Sequence, residues 1–231
     1  LVVPRMKGSL DSLLQSSESS CAPDPSQRVL FAHLSAMSVM ALHEMGICHQ
    51  DIKSHNFLYD GDGADLRIVP TDVGSAKVSR LTEASTLNCA SPTLFWRAPD
   101  FLMHPEIPFS QSHDVYAFGI VLWEIATSRS PFEGMDLKTV HALMVSFACT
   151  PNQTHPLLED EGIFSQVPAG YVEVMADCLS ADPASRPTMA EVVKRLGHVY
   201  QDLSVIGPSC PSKVTESLRY EVLVELLMGL R

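Results

Sequence analysis

Residues 48–63 read CHQDIKSHNFLYDGDG, and the polar side chains in this stretch stand at fixed offsets before a turn. Asp51 is followed by Lys53 two positions later and by Asn56 five positions later. The apolar runs NFLYD and DLRIVP flank the DGDG turn, which predicts a β-hairpin. Because a hairpin folds the chain back on itself, we expect Asp72 to return beside Asp51 and Asn56.

Three oxygen-bearing side chains that converge in this way suit a hard divalent cation. Mg²⁺ prefers oxygen ligands and usually keeps part of its shell for water and phosphate oxygens. Lys53 adds a positive charge at the same place, and phosphoryl transfer depends mainly on positioning and electrostatic stabilisation. The pattern therefore predicts a magnesium-dependent phosphoryl-transfer site. Taken alone, Asp51 could equally be an aspartate that caps a helix or a turn.

The same stretch resembles the catalytic loop of protein kinases, H-R-D-x-x-x-x-N, and residues 71–74 resemble the D-F-G element that follows it. Three further resemblances come in the expected order: residues 98–100 to the A-P-E element, residues 114–119 to the start of the central helix of the large lobe, and residues 178–193 to its arginine-bearing loop. Residues 1–203 are thus predicted to form the hinge and large lobe of a protein kinase. The fold class that this implies is α+β and mostly helical, with a small β-hairpin at the catalytic loop.

The resemblance implies a role for each predicted site residue. Asp51 would accept the proton of the substrate hydroxyl, Lys53 would contact the γ-phosphate of ATP, and Thr93 would lie against the base. Asn56 and Asp72 would hold Mg²⁺. The predicted nucleotide-binding residues are Val3, Pro4, Met6, Leu58 and Asp72.

Other matched positions are implied to be structural. Asp114 would tie down the backbone of the catalytic loop, and Asp100 would pair with Arg186 beneath the substrate. His49 would be a buried hydrogen-bonding histidine rather than an acid or a base.

The activity implied is that of a serine/threonine protein kinase of the tyrosine-kinase-like group, which transfers the γ-phosphate of ATP to protein hydroxyls in signal transduction. Lys53 is typical of the serine/threonine class. A pseudokinase or scaffold that binds partner proteins is the alternative, because Gln50 replaces the usual Arg and Val73 replaces the usual Phe. Without that Arg, phosphorylation of the loop at Ser85 or Thr86 is not expected to be the main on-switch. An unrelated phosphotransferase that shares the loop is a third, weaker reading.

The start of the chain raises a separate expectation. The 231 residues contain no glycine-rich loop, strand lysine or partner glutamate ahead of the predicted hinge. We therefore expect the chain to be a piece of a kinase that is inactive by itself.

Composition narrows the choice of partners and compartment. The 231 residues carry a net charge of −11, which argues against a nucleic-acid-binding surface, and no apolar run is long enough to span a bilayer. The six cysteines form no CxxC pair, as expected for reduced thiols in the cytoplasm or at the cytoplasmic face of a membrane. An amphipathic helix is predicted over residues 214–228, within a C-terminal extension 204–231. It could bind a partner helix or pack back on its own domain.

Hydrophobic periodicity predicts the remaining helices. A core helix that is apolar nearly all round is predicted over residues 114–127, and long polar loops over residues 16–27 and 75–95. The other predicted helices span residues 8–17, 28–45, 137–148, 171–179 and 188–203.

Overall fold

The computed structural model of the chain describes residues 6–15, 22–72, 77–78, 92–150 and 153–204. These residues form a mostly helical α+β fold. The described helices are α1 (Leu10–Gln15), α2 (Pro25–Glu44), α3 (Pro99–Met103), α4 (Gln111–Thr127), α5 (Leu137–Cys149), α6 (Ala169–Cys178) and α7 (Met189–Ser204). Every predicted helix that falls in these ranges is therefore confirmed, within a few residues at its ends.

The strands are short and lie at one end of the helical body. They are β1 (Gly8–Ser9), β2 (Ile47–Cys48), β3 (Phe57–Asp60), β4 (Arg67–Pro70) and β5 (Lys77–Val78). Strands β3 and β4 form the predicted antiparallel hairpin, with Phe57 opposite Pro70 and Asp60 opposite Arg67. Strand β1 pairs with the other edge of β3, so the strand order of this sheet is β1-β3-β4. Strand β2 pairs separately with β5.

The start of α2 differs from the predicted loop 16–27, of which residues 22–27 are described. The helix begins at Pro25, after an N-cap at Asp24. The Asp24 carboxylate accepts from the Gln27 N–H at 2.9 Å, and the Gln27 side chain accepts from the Asp24 N–H at 2.9 Å. This reciprocal capping box, with Pro at the first helical position, starts the helix three residues before its apolar stripe.

Helix α4 is the centre of the core, as its apolar sequence predicts. Its residues from His113 to Ala126 are buried, including the aromatic side chains Tyr116 and Phe118. Helix α6 packs against it at Gly119, where an added Cβ would lie 2.9 Å from Leu179. Close contact at this glycine lets the two helix backbones approach.

Buried Arg28 fixes the end of α4 against α2. Its guanidinium donates to the backbone oxygen of Ile125 and, at 3.0 Å, to Ser128 Oγ, while its Nε donates to Pro23 O at 3.0 Å. The last carbonyls of a helix have no partner within the helix, so a buried cation satisfies them well.

The segment 75–95, predicted to be a loop, contains some regular structure. Residues 77–78 form β5, and residues 92–96 form a 3₁₀ turn that leads into α3. The predicted helix 214–228, together with Val73, Ser85 and Thr86, lies outside the described residues.

Candidate active site

The catalytic-loop side chains meet where the sequence spacing places them, just before the β3–β4 hairpin. Asp51 Oδ2 accepts hydrogen bonds from Lys53 Nζ at 2.9 Å and from Asn56 Nδ2 at 2.7 Å. Asn56 Nδ2 also donates to the Asp51 backbone oxygen at 2.8 Å. One carboxylate oxygen thereby holds both the predicted phosphate-binding lysine and one predicted metal ligand.

The other oxygen of Asp51, Oδ1, takes no part in these hydrogen bonds. Asp51 Oδ1 is buried and has no hydrogen-bond partner among the described residues. A buried polar atom without a partner is costly, because it has lost water and gained nothing. It is an available acceptor beside Lys53, which is what a group that receives a proton from a bound hydroxyl requires.

Asp114, at the start of α4, holds the backbone of this loop. Its carboxylate, fully buried, accepts from the His49 N–H at 2.7 Å and the Gln50 N–H at 2.9 Å, and contacts His43 Nε2 at 3.0 Å. Gln50 has a φ of 69°, a left-handed conformation that a non-glycine residue rarely adopts. The two backbone bonds stabilise that conformation, and it directs the chain into Asp51.

His49 joins the loop to the end of the hairpin and has a structural position. Its Nε2 contacts Thr71 O at 3.0 Å, and its Nδ1 accepts from the Asp51 N–H at 3.3 Å. The Thr71 N–H in turn donates to Asn56 O at 2.8 Å. Asp72 directly follows Thr71 in the chain, and its contact with Asn56 stays a prediction.

The donor atoms at this place fit a magnesium ion. The amide nitrogen of Asn56 is committed to Asp51, which leaves its oxygen for a cation, and the Asp72 side chain is exposed at a φ of 59°. The described residues contain no group of three or more His, Cys, Asp or Glu side chains that could hold a metal. Two oxygen ligands suit Mg²⁺, which completes its shell with phosphate and water, better than they suit a metal that needs a full protein cage.

The predicted nucleotide-binding residues are only partly described. Val3 and Pro4 fall outside the described residues. Thr93, which is a predicted catalytic residue, lies in the 92–96 turn, and its side chain is not described. Met6 and Leu58 are half-buried, and Leu58 on β3 lies opposite Ser9 on β1. Pairing of β1 with β3 brings the end of the predicted hinge to the hairpin that carries Leu58.

A buried carboxylate that sequence reasoning did not select lies under the catalytic loop. Glu124 on α4 accepts from the Ser54 N–H at 3.2 Å, from Ser54 Oγ at 2.6 Å and from Trp96 Nε1 at 3.1 Å. Burial raises the pKa of Glu124 to about 7, against the opposing effect of these hydrogen bonds. The available signal was a single acidic residue within the otherwise apolar run 115–126 of α4, since buried charges need partners.

A second carboxylate, that of Asp100, joins α3 to the loop before α7. Asp100 accepts from Arg186 at 2.5 Å and contacts His113 Nε2 at 3.0 Å, as the predicted Asp100–Arg186 pair requires. Burial alone would raise the pKa of Asp100, but His113 and Arg186 hold it at about 2. The Arg186 guanidinium also lies 5.1 Å from the centre of the Tyr116 ring. We call Asp100, His113, Arg186 and Tyr116 the brace.

Comparisons with known proteins agree with this geometry. The family model of the protein kinase domain matches residues 1–196. The chain therefore belongs to the protein kinase family.

Individual relatives are 29–30% identical to this chain. A protein of Acanthamoeba polyphaga mimivirus named a serine/threonine-protein kinase/receptor is 29% identical over 183 residues, which cover 79% of this chain and 10% of the relative. A probable serine/threonine-protein kinase of Dictyostelium discoideum is 30% identical over 74% of this chain and 25% of its own length. A dual specificity protein kinase of the same organism is 30% identical over 77% of this chain and 33% of its own length. The chain thus spans between a tenth and a third of the length of these relatives.

Proposed function

We propose that this chain supplies the catalytic loop of a serine/threonine protein kinase that transfers the γ-phosphate of ATP to protein hydroxyls. The observation that carries the proposal is the Asp51 carboxylate, whose Oδ2 holds Lys53 and Asn56 while the buried Oδ1 has no partner among the described residues. The family uses ATP and Mg²⁺. The names of the relatives favour serine and threonine as acceptors.

In the proposed reaction Asp51 orients the acceptor hydroxyl through Oδ1 and takes its proton. The hydroxyl oxygen forms a bond to the γ-phosphorus as the bond from that phosphorus to the β–γ bridging oxygen breaks, and ADP leaves with the electron pair. Lys53, held 2.9 Å from Asp51, provides positive charge for the transferring phosphoryl group. Magnesium, when bound by Asn56 and Asp72, supplies charge neutralisation of the phosphates.

Two features of the site keep this arrangement in place before substrate arrives. Asp114 fixes the loop backbone, and the bond from the Thr71 N–H to the Asn56 backbone oxygen fixes the end of the hairpin against Asn56. Preorganised groups cost no rearrangement at the moment of reaction, which is the main source of electrostatic catalysis.

Phosphotransfer by the protein purified from its native source tests the proposal. Labelled ATP and Mg²⁺ are supplied with peptide pools that carry only Ser, only Thr or only Tyr acceptors. We expect label on Ser and Thr, and a fall of about 10²- to 10⁴-fold for Asp51→Asn, which cannot take the proton.

Binding provides the control for this variant. Mg-ATP should raise the thermal midpoint of Asp51→Asn as it does that of the unchanged protein, because a ligand that binds only the folded state stabilises it. Binding without transfer in the unchanged protein would favour the scaffold alternative. Transfer mainly to Tyr would contradict the serine/threonine assignment.

A further inference from the structure

A cavity of about 760 Å³ opens where the ends of α5 and α6 meet the loop before α7. Its volume lies in the range of sites that enclose a bound ligand. Phe147, His155 and Leu179 are its buried lining residues, and Asp177 and Asp182 are exposed at its rim. We call it the helix-end cavity. No residue of the catalytic loop or of the hairpin lines it, so it is separate from the candidate active site.

The charged side chains of the helix-end cavity are all negative. Asp100, Asp177 and Asp182 line it, and none of its described lining residues is Lys or Arg. His155 does not supply a positive charge at neutral pH, because burial lowers its pKa to about 3. The wall therefore favours a cation over an anion or a purely apolar group.

Two of these carboxylates already have a cationic partner. Asp100 accepts from Arg186 at 2.5 Å, and Asp177 accepts from Arg195 at 2.6 Å. Neither arginine lines the cavity. These two pairs are part of the folded structure, so the third carboxylate decides the charge that a ligand would meet.

Asp182 has only neutral hydrogen-bond partners. Its carboxylate accepts from the Ala184 N–H at 3.0 Å and from Ser185 Oγ at 2.7 Å, which caps the short 3₁₀ turn that follows. Asp182 forms no salt bridge with a described residue, and Arg186 acts on it only at longer range. Its negative charge is therefore available at the rim.

The carboxyl ends of two helices add to the negative potential. Helix α5 ends at Cys149 and α6 at Cys178, and Ala148 and Ala176 in their last turns line the cavity. The last carbonyl groups of a helix carry a partial negative charge that a Lys or Arg in the last turn commonly offsets. Neither helix has a basic residue in its last turn. A cation in the cavity would supply that missing charge for both helices.

The wall also holds a hydrogen-bond acceptor that lacks a donor. Gln153 lines the cavity, and its side-chain Oε1 exposes less than 1 Å² and has no hydrogen-bond partner among the described residues. Such an atom has lost water without gaining a donor, which is costly. A ligand rich in N–H groups would relieve that cost.

We propose that the helix-end cavity binds an arginine side chain presented by a segment of a partner protein. A guanidinium keeps its charge and carries five N–H donors, so it suits acceptors that lie in different directions, such as Asp182, Gln153 and the helix ends. The net charge of −11 would attract a basic segment over a longer range. The inference goes beyond the proposed function and does not depend on it, because binding is measured without phosphotransfer.

Nuclear magnetic resonance of the isotope-labelled 231-residue chain tests the site and its charge preference together. The probe is the peptide GSGRGSG, and the matched control peptide has Gln in place of Arg. We expect the Arg peptide to bind about tenfold more tightly or better, because a charged donor makes the stronger hydrogen bonds. The amide signals of Thr150, Gln153 and Ala181 should shift, while that of Asp51 stays fixed.

Several outcomes of this titration would overturn the inference. These are no binding of the Arg peptide, equal binding of the two peptides, and shifts confined to the catalytic loop. Complete displacement of the Arg peptide by spermine at the same concentration would show that the cavity serves a free polyamine, and the assignment to a protein segment would be wrong.

Asp182→Asn removes the rim charge and keeps the cap, because Asn caps a turn as well as Asp does. We expect the affinity for the Arg peptide to fall about three- to fivefold, as for loss of one exposed ion pair. Asp65→Asn removes the same charge from the exposed hairpin turn, which does not line the cavity, and should leave the affinity unchanged. Equal losses in the two variants would mean a general attraction to an acidic chain and would contradict the site.

Ala176→Arg tests the location without relying on Asp182. It places a tethered guanidinium in the wall of the cavity, on a helix where Arg is well tolerated. We expect the affinity for the Arg peptide to fall about tenfold or more, with the thermal midpoint as the check that the variant is folded. Unchanged affinity in folded Ala176→Arg would overturn the inference.

Discussion

Asp114 and Asp100 are both carboxylates placed 3.0 Å from a histidine nitrogen, but their other partners differ in kind. Asp114 accepts from two backbone N–H groups of the catalytic loop, whereas Asp100 accepts from the guanidinium of Arg186. Hydrogen bonds to backbone N–H groups fix the dihedral angles of a loop. A hydrogen bond between two side chains instead holds together segments that are distant in sequence. The first cluster therefore shapes the catalytic loop, while the brace joins α3 and α4 to the loop before α7.

Loss of the Asp114 charge should have the largest effect. Asp114→Asn keeps the shape but places an amide donor against backbone donors, in a fully buried site. We expect a loss of about 3–5 kcal/mol in the free energy of unfolding, measured in urea, and loss of phosphotransfer.

The exposed Asp65 in the hairpin turn provides the control for Asp114→Asn. Asp65→Asn should change stability by about 0.5 kcal/mol at most. An Asp114→Asn protein that retains full phosphotransfer would show that the backbone bonds do not shape the active loop.

Removal of the Asp100 charge should come next and affect stability more than chemistry. Asp100→Asn leaves Arg186 buried with its main anionic partner gone, so we expect a loss of about 3 kcal/mol in the free energy of unfolding. ATP binding should remain, and it can be measured as the shift in thermal midpoint that Mg-ATP causes.

A surface ion pair in the same part of the fold provides the matched control for Asp100→Asn. Asp177 and Arg195 are 2.6 Å apart, with side chains 53% and 30% exposed. Asp177→Asn should cost about 1 kcal/mol or less, because solvent screens exposed pairs. Equal losses in the two variants would show that burial of the brace contributes nothing.

A buried histidine beside the brace should make the free energy of unfolding depend on pH in acid. Tyr116 of the brace contacts His155 at 2.8 Å, and burial lowers the pKa of His155 to about 3 from the ordinary value of 6.5. Below pH 6.5 the unfolded chain binds a proton at this position that the folded His155 does not bind, so the contribution of His155 to stability should fall as the pH drops from 6.5 toward 3.

The slope expected from one proton is about 1.4 kcal/mol per pH unit. His155→Gln should remove that part of the slope, as measured by urea unfolding between pH 7 and pH 4. The Asp100 carboxylate, whose pKa is held at about 2, contributes stability that is present above the ordinary value of 3.8 and is lost only as the pH falls through about 2. A slope in His155→Gln equal to that of the unchanged protein would place the titrating group elsewhere.

Restoring a longer acid in the brace should have the smallest effect. The sequence has Asp100 where the kinase pattern has Glu, and Asp100 already reaches Arg186 at 2.5 Å. Asp100→Glu adds one methylene at a partly buried position, so we expect a change of about 1 kcal/mol or less in the free energy of unfolding. A loss as large as that of Asp100→Asn would mean that the brace has room for Asp alone.

Much of the fold follows from local sequence. The alternation around the DGDG turn predicts the hairpin, and the apolar run after Asp114 predicts the buried helix, because burial and turn chemistry act over a few residues. The start of α2 was missed although its signal was present: Asp24, Pro25 and Gln27 form a capping box before the apolar stripe begins. For the site, the spacing of Asp51, Lys53 and Asn56 was enough to predict that they meet.

The sequence by itself determined the short-range parts of this protein, which are the hairpin, the main helices and the cluster around Asp51. Only the tertiary structure decided that Glu124 is a further carboxylate supporting that cluster. Glu124 meets Ser54 across 70 positions and Trp96 across 28 positions, and no local pattern encodes those contacts. Their physical cause is burial: a carboxylate within the central helix cannot reach water, so the fold must bring donors to it, and the donors that arrive belong to the catalytic loop and to the segment that leads into α3.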